Sequence, residues 1–344
     1  MRISQVARYI YQKKWNVLCV LAIVTLAGEL YLRLPWGRQL EYQPDPELGA
    51  VYCPGQSSSQ VTVNSDGHRG KDTDWDRPVI LAVGDSQAWG SGVPDRDVWT
   101  TRLEDFLHER SGLRDFQVVN ASHPGHGPYQ QFVRMRRVLE AHKVRAVLVR
   151  VSIEDRRFTA PRAGELPRLV AEAEWRQQVR SITKFLPFVF NKAKEQLPSI
   201  EAIFGPKQVQ TTAVRSEEAG RKMWEAQGQW WERMVAVAAE NRTPLVFFLH
   251  DPTDLPSSAV LATNLAELIK GHKNAYLLRL GSETYGVGPG STDELWREYR
   301  SRFTLFHDDH GNRTHHELVA RTLHAFFLAK GFLGPADHPA YHPQ

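Results

Sequence analysis

The sequence predicts an α/β fold in three layers: a parallel sheet of about five strands with helices on both faces, preceded by an N-terminal transmembrane helix. Three observations predict it. Short apolar runs recur along the chain and alternate with longer segments of helical spacing. These runs are predominantly apolar on both of their faces, the signature of parallel strands covered by helices on each side. One longer apolar stretch stands ahead of them, led by basic residues.

That stretch opens the chain. Val17 to Gly28 carries no charge, and apolar character resumes through Leu30, Tyr31, Leu32 and Leu34 around Glu29 and Arg33. From Trp15 to Leu34 the stretch reaches the length of about 20 residues that a helical span needs. Trp15, Tyr31 and Trp36 suit the two headgroup belts, and Arg8, Lys13 and Lys14 keep the N-terminus in the cytoplasm by the positive-inside rule. Residues 1–14 therefore read as a cytoplasmic basic tail and 15–35 as a single-pass anchor in the cytoplasmic membrane. The body is then periplasmic or extracellular. A cleaved signal peptide and a buried soluble helix are the rival readings. The poor cleavage context of Ala27-Gly28-Glu29 weighs against the first.

Charge supports the same division. The 344 residues include 43 Lys+Arg and 39 Asp+Glu, a formal net charge of +4. Arg2, Arg8, Lys13 and Lys14 all precede the first acid, Glu29; without them 39 basic residues face 39 acidic ones. The body is formally neutral, so its net charge calls for no nucleic-acid partner. Two cysteines exclude a disulfide scaffold, and a composition 42% hydrophobic and 24% charged excludes a disordered chain.

The elements follow in order. Residues 36–77, with Pro44, Pro46, Pro54 and Ser57 to Ser59, read as a linker leading into the domain. The first strong strand is 79–83, bounded by Pro78 and Gly84. A helix over about 98–110 places Trp99, Leu103, Phe106 and Leu107 at helical spacing. A strand at 116–120, a helix over about 129–142 and a strand at 146–151 come next. Residues 165–240 are mostly helical and end in a segment at 217–240 that carries Trp224, Trp230 and Trp231. Strands at 245–249 and 275–280 precede a last helix over about 315–330, with Gly331 as its stop. The domain thus spans 78–334, with a helical insert at about 156–243 read as a lid or partner surface, and a tail at 335–344. Core packing is the expectation for the three tryptophans, with sugar stacking as the alternative.

In parallel sheets function gathers at the carboxyl ends of the strands. Three polar segments lie there or beside the last helix. Gly84-Asp85-Ser86-Gln87 follows the first strand, so Ser86 stands at a strand-to-helix turn where backbone N–H groups stabilise negative charge. The plain alternative is a helix cap by Asp85 or Ser86. Asn120-Ala-Ser-His-Pro-Gly-His-Gly127 follows the second strand. Gly125 and Gly127 there permit close approach of a ligand to the backbone, or simply form a turn. His307-Asp-Asp-His310 precedes the last helix. Asp308 lies two residues from His310, a spacing suited to an acid that orients a histidine base. The alternatives are a polar loop or a metal site drawing on His307, Asp308, Asp309, His310, His315 and His316. Their spacing matches no metal motif with a fixed mechanism, so no metal and no cofactor are expected.

Taken in order, GDSQ, NASHPGHG and DDHGNRTHH resemble the SGNH (GDSL-type) hydrolase superfamily. Val63-Asn-Ser-Asp-Gly-His-Arg-Gly70 is similar to a segment of its membrane-anchored bacterial members. Glu29 and Arg33 at the end of the anchor, and Pro44-Asp-Pro-Glu-Leu-Gly49 after it, are also similar. The resemblance spans 29–155 and about 244–330. It implies a flavodoxin-like strand order and a serine esterase. Ser86 is then the nucleophile, His310 the base and Asp308 its orienting acid, with the N–H groups of Ser86 and Gly125 in the oxyanion hole. Asn312 and His316 match positions of structural character.

One position departs from the resemblance. Its third oxyanion donor is an Asn after the third strand, where this chain has Glu154. Loss of one such donor costs about 3 kcal/mol in the transition state, and an ionised carboxylate repels the oxyanion. His123 and His126 are candidate substitutes. Three functions follow. The first is hydrolysis of acyl or acetyl esters, with an envelope polysaccharide as candidate substrate. The second is O-acetyl transfer to such a polysaccharide through the same acyl-serine. The third is a non-catalytic scaffold of surface assembly. The oligomeric state is not legible. Sequons at Asn120, Asn241 and Asn312 are read as coincidental, because two of them fall within the motifs.

Overall fold

A computed structural model describes residues 23, 40–151, 163–185, 216–250, 256–285, 293–305 and 308–332. The expected anchor at 15–35 lies outside these residues apart from position 23. Among the described residues no helix is long and apolar enough to cross a membrane.

Two small hairpins lead in. Strands β1 (Tyr42–Asp45) and β2 (Gly49–Tyr52) pair antiparallel, as do β3 (Gln56–Ser57) and β4 (Thr62–Val63). The first turn is held by Asp45, whose carboxylate accepts from the amides of Glu47 and Leu48 at 2.9 and 2.8 Å. The stretch read as a linker therefore carries two hairpins over its described part, the first with a turn closed by local side-chain bonds.

The domain then alternates. Strand β5 (Val79–Val83) leads into helix α1 (Ser86–Trp89) and helix α2 (Trp99–Ser111). Strand β6 (Gln117–Asn120), helix α3 (Pro128–Ala141) and strand β7 (Ala146–Val151) follow. Helices α4 (Leu166–Phe185) and α5 (Glu217–Glu240) precede strand β8 (Leu245–His250), helix α6 (Pro256–Ile269) and strand β9 (Ala275–Leu280). Helix α7 (Ser282–Tyr285), helix α8 (Asp293–Phe303), the hairpin of β10 (Thr304–Leu305) with β11 (Asp308–Gly311), and helix α9 (Arg313–Lys330) complete the described chain.

The five long strands form one parallel sheet in the order β6-β5-β7-β8-β9. That is the expected five-stranded sheet in flavodoxin-like order, and its three layers follow from side-chain alternation. Val79, Leu81, Val83, Val147, Val149, Leu245 and Phe247 share a core with Val133 and Met135 of α3, Met234 and Val235 of α5 and Leu261 and Leu265 of α6. Ile80, Ala82, Leu148, Val246 and Phe248 face the other way, onto Leu103 and Leu107 of α2 and Val319 and Leu323 of α9. Both faces are buried, which is why the strands read as continuous apolar runs rather than alternating ones.

Helix α6 is an element that the sequence reading passed over. It begins on Pro256, a residue suited to a first helical turn, and buries Leu261, Ala262 and Leu265. Within the expected insert, α4 packs on the β1–β2 hairpin. Helix α5 is not a lid: it is a core helix of one layer, lying against α3 and α6. Its tryptophans pack accordingly. Trp231 is fully buried, Trp224 lies beside it at 5.5 Å between ring centroids, and Trp230 meets Tyr129 at 4.7 Å.

Candidate active site

Sheet order places the end of β5 beside the ends of β6 and β7, where the chain switches direction across the sheet. The turn after β5 is built by its sequence. A Cβ on Gly84 would collide with the Cβ of Ala88, so only glycine lets α1 fold back this tightly on the strand. Asp85 is extended and is the N-cap of α1: its Oδ1 accepts from the amides of Gln87 at 3.0 Å and Ala88 at 3.3 Å. Ser86 is the first helical residue. The two readings of the motif thus divide between neighbours, with Asp85 the cap and Ser86 presented at the helix start, half-buried.

A helix of four residues has no independent stability, and α1 is held from outside. Its last carbonyls are gathered by the Asn-Ser-Asp-Gly-His-Arg segment. The buried guanidinium of Arg69 donates from Nη1 to the carbonyls of Trp89 and Gly90 and from Nη2 to that of Val93, while Nε bonds Asp95 at 2.8 Å. Asn120, 1% exposed, donates to the carbonyl of Ala88 at 3.1 Å. Asn64 folds the segment itself, accepting from the amides of Asp66 and His68 at 3.1 and 2.8 Å. The resemblance over residues 63–70 therefore corresponds to a brace under the serine turn.

His310 arrives from the other end of the sequence, on β11. Its Nε2 lies 2.8 Å from Ser86 Oγ. The adjacent amide, Gly311 N–H, donates to Gln87 Oε1 at 3.0 Å. Asn312 caps α9 by accepting from His315 N–H at 3.2 Å, and its Nδ2 donates to the carbonyl of Arg302 at 2.8 Å. The His316 ring accepts from the amide of Trp99 at 3.4 Å, and burial pushes its pKa well below the usual histidine value. The His315 ring stacks on Tyr285 at 5.5 Å, and burial lowers its pKa to about 3. Asn312 and His316 thus serve structure, as expected. Among the described residues no group of His, Cys, Asp and Glu is placed to hold a metal ion. Asp308 opens β11 in the backbone; its side chain, like all of Glu154, lies outside the described residues.

The loop carrying Gly125 leans on the serine turn. His123 N–H donates to the carbonyl of Gly84 at 3.1 Å, two residues ahead of Ser86. Gly125 has φ +79° and open space on its side-chain face, a conformation that glycine adopts without strain. The first amides of a helix have no partner within it. Ser86 N–H and Gly125 N–H thus belong to adjoining segments of one sheet edge. His123 and His126 are both buried, with ring centroids 4.3 Å apart. His123 packs on Tyr52 at 4.8 Å, and the Nδ1 of His126 accepts from Arg134 Nε at 3.3 Å.

One functional neighbour escaped the sequence reading. Arg150 sits on the central strand β7, and its Nη1 meets the second oxygen of Asp85 at 2.5 Å. The two side chains are only 7% and 10% exposed. Asp85 is thereby gripped on both oxygens, by the helix amides on one and the guanidinium on the other. The signal was available: an arginine inside a strand that reads as buried requires an acid near it.

No protein-family model matches this chain, and no curated relative matches it either. Solved structures do. The chain is similar to the psychrotrophic esterase EstA of a Pseudoalteromonas species, with 13% identity and a TM-score of 0.42 over 75% of this chain and 99% of that one. It is similar to a Clostridium thermocellum family 3 carbohydrate esterase, at 13% identity and a TM-score of 0.40 over 75% and 99% of the two chains. A salicylyl-acyltransferase from a tetracycline biosynthetic pathway matches at 15% identity and a TM-score of 0.37, over 77% of this chain and 59% of that one. These are likenesses of fold, and the chemistry is read from the side chains above.

Proposed function

We propose that this chain is an SGNH-type serine esterase acting on acyl or acetyl esters outside the cytoplasmic membrane. The observation that carries the proposal is the contact of Ser86 Oγ with His310 Nε2 at 2.8 Å, at the carboxyl edge of a parallel sheet. A serine hydroxyl is a weak nucleophile until a base takes its proton, and this distance is within reach for that transfer.

The reaction runs in two halves. His310 Nε2 accepts the proton of Ser86 Oγ as the oxygen attacks the ester carbonyl carbon. Negative charge passes to the carbonyl oxygen, which the N–H groups of Ser86 and Gly125 receive. Collapse expels the alkoxide, which takes the proton from His310 and leaves an acyl-Ser86. Water then repeats the sequence: His310 removes its proton as the oxygen attacks the acyl carbon, and collapse releases the acid while Ser86 Oγ takes the proton back from His310. Asp308 holds the imidazole in the tautomer with the proton on Nδ1. Its position two residues before His310 supports that role.

The basic tail and the apolar run at 15–35 support tethering of the body to the membrane from outside. The assay that tests the proposal is hydrolysis of a short-chain aryl ester, with Ser86→Ala as control. Turnover that disappears in the variant supports it. Absent turnover contradicts it and favours a scaffold, and turnover equal in both proteins contradicts the role of Ser86. Protease accessibility of the body in intact spheroplasts tests the address.

A further inference from the structure

The histidine segment is tied to the serine helix at two adjacent points. Ser86 meets His310, and the next residue of each segment, Gln87 and Gly311, meets its counterpart through the Gly311 N–H to Gln87 Oε1 bond of 3.0 Å. We propose that Gln87 is a positioning residue that keeps the His310 imidazole in place while the Ser86 bond is being made and broken. This rests on the reading of Ser86 and His310 as nucleophile and base.

Three features of the fold call for such a tie. His310 lies on β11, which pairs with the two-residue strand β10 and is no part of the five-stranded sheet. The sheet that fixes Ser86 therefore does not fix His310. Secondly, Gly311 is held against α9: a Cβ there would stand 2.5 Å from the His315 ring, and that ring is itself stacked on Tyr285. Its amide has a definite place, and Gln87 reaches it. Thirdly, the main-chain amide of Gln87 is already bonded to the Asp85 carboxylate, which fixes the base of the side chain that makes the reach.

The chemistry shows when the tie matters. Before acylation the Ser86 hydroxyl and the His310 ring hold one another. After acylation Oγ is part of an ester and has no proton to donate, so that bond is lost. His310 must still stand close enough to take a proton from the attacking water. The bond from Gly311 to Gln87 involves no group that exchanges a proton in the reaction, so it persists through both halves.

The test uses the full chain with Gln87→Leu, Gln87→Met and Gln87→Glu, beside the parent and Ser86→Ala, on a short-chain aryl ester. Leu and Met lack the acceptor oxygen; kcat is expected to fall about 10- to 100-fold with KM within twofold, since small misplacements of a catalytic group have effects of this size. Glu retains an acceptor oxygen and should keep most of the activity. Its added carboxylate favours the imidazolium, so the acid limb of the kcat/KM profile should move to higher pH. Thermal melting separates these effects from unfolding, and Met stands in if Leu does not fold. Leu and Met variants within twofold of the parent in kcat would overturn the proposal, as would a Glu variant equally impaired with no movement of its acid limb. If the parent depends on Ser86 while that happens, the esterase reading stands and only the role of Gln87 falls. A parent whose turnover is indifferent to Ser86→Ala overturns both.

Discussion

His310 Nε2 stands 2.8 Å from Ser86 Oγ although 224 positions separate them in the chain. Nothing local brings them together. The strand β5 delivers Ser86, the hairpin of β10 and β11 delivers His310, and the brace of Arg69, Asn120 and Asp85 under α1 holds the serine turn still.

Arg150 and Asp85 form a pair that is almost fully buried. Replacing Arg150 by Met leaves a buried carboxylate without its cation, and the expected loss is about 3–5 kcal/mol of stability. Adding Asp85→Asn, which preserves a capping side chain, should restore part of it. Urea denaturation of both single variants and the double measures the coupling. Additive losses contradict the account.

Arg69 serves three carbonyls and one carboxylate with a planar fork that lysine cannot reproduce. Arg69→Lys should therefore lower stability by about 2 kcal/mol or more and lower kcat as the end of α1 loosens. Thermal unfolding and steady-state kinetics check both. A variant with parental Tm and kcat would remove Arg69 from the support of the site.

Much of this was legible in the sequence, for identifiable reasons. The strand runs at 79–83 and 146–151 coincide with β5 and β7, because strands buried on both faces must be apolar throughout. Ser86 and His310 were legible because GDSQ and DDHGNRTHH stand in the order, and after the elements, that the resemblance expects. Arg150 called for an acid, but which acid was hidden, because Asp85 is 65 positions away and adjacent only through the pairing of β5 with β7. The β1–β2 hairpin was hidden too. Its proline and acids read as a linker, and what anchors it is tertiary: Asp45 and Glu47 bind Arg137, and Glu47 also binds Arg136.

Buried histidines make stability depend on pH. Burial lowers the pKa of His68 and of His315 to about 3, and that of His316 well below its usual value. The unfolded chain titrates its histidines near 6.5. Between those values the unfolded state binds protons that the folded state refuses, so stability falls as pH drops below about 6.5. The slope is about 1.4 kcal/mol per pH unit for each such histidine. His68→Phe should flatten the dependence of the urea midpoint between pH 6.5 and 5 by about one proton. An unchanged slope would contradict a neutral buried His68.

Glu154 stands where the resemblance has an oxyanion-donating Asn. Glu154→Asn should raise kcat/KM by about 100-fold, the size of one such donor. Parental activity in a correctly folded variant would show that position 154 does not face the oxyanion.

The most direct test of the account is the chemical identity of the nucleophile. Treated with a fluorophosphonate, the full chain should gain the mass of a single phosphonyl group, located on Ser86 by peptide mapping, and Ser86→Ala should gain none. A parent that stays unlabelled, or an adduct that persists in the variant, would contradict the claim that Ser86 and His310 form a catalytic pair.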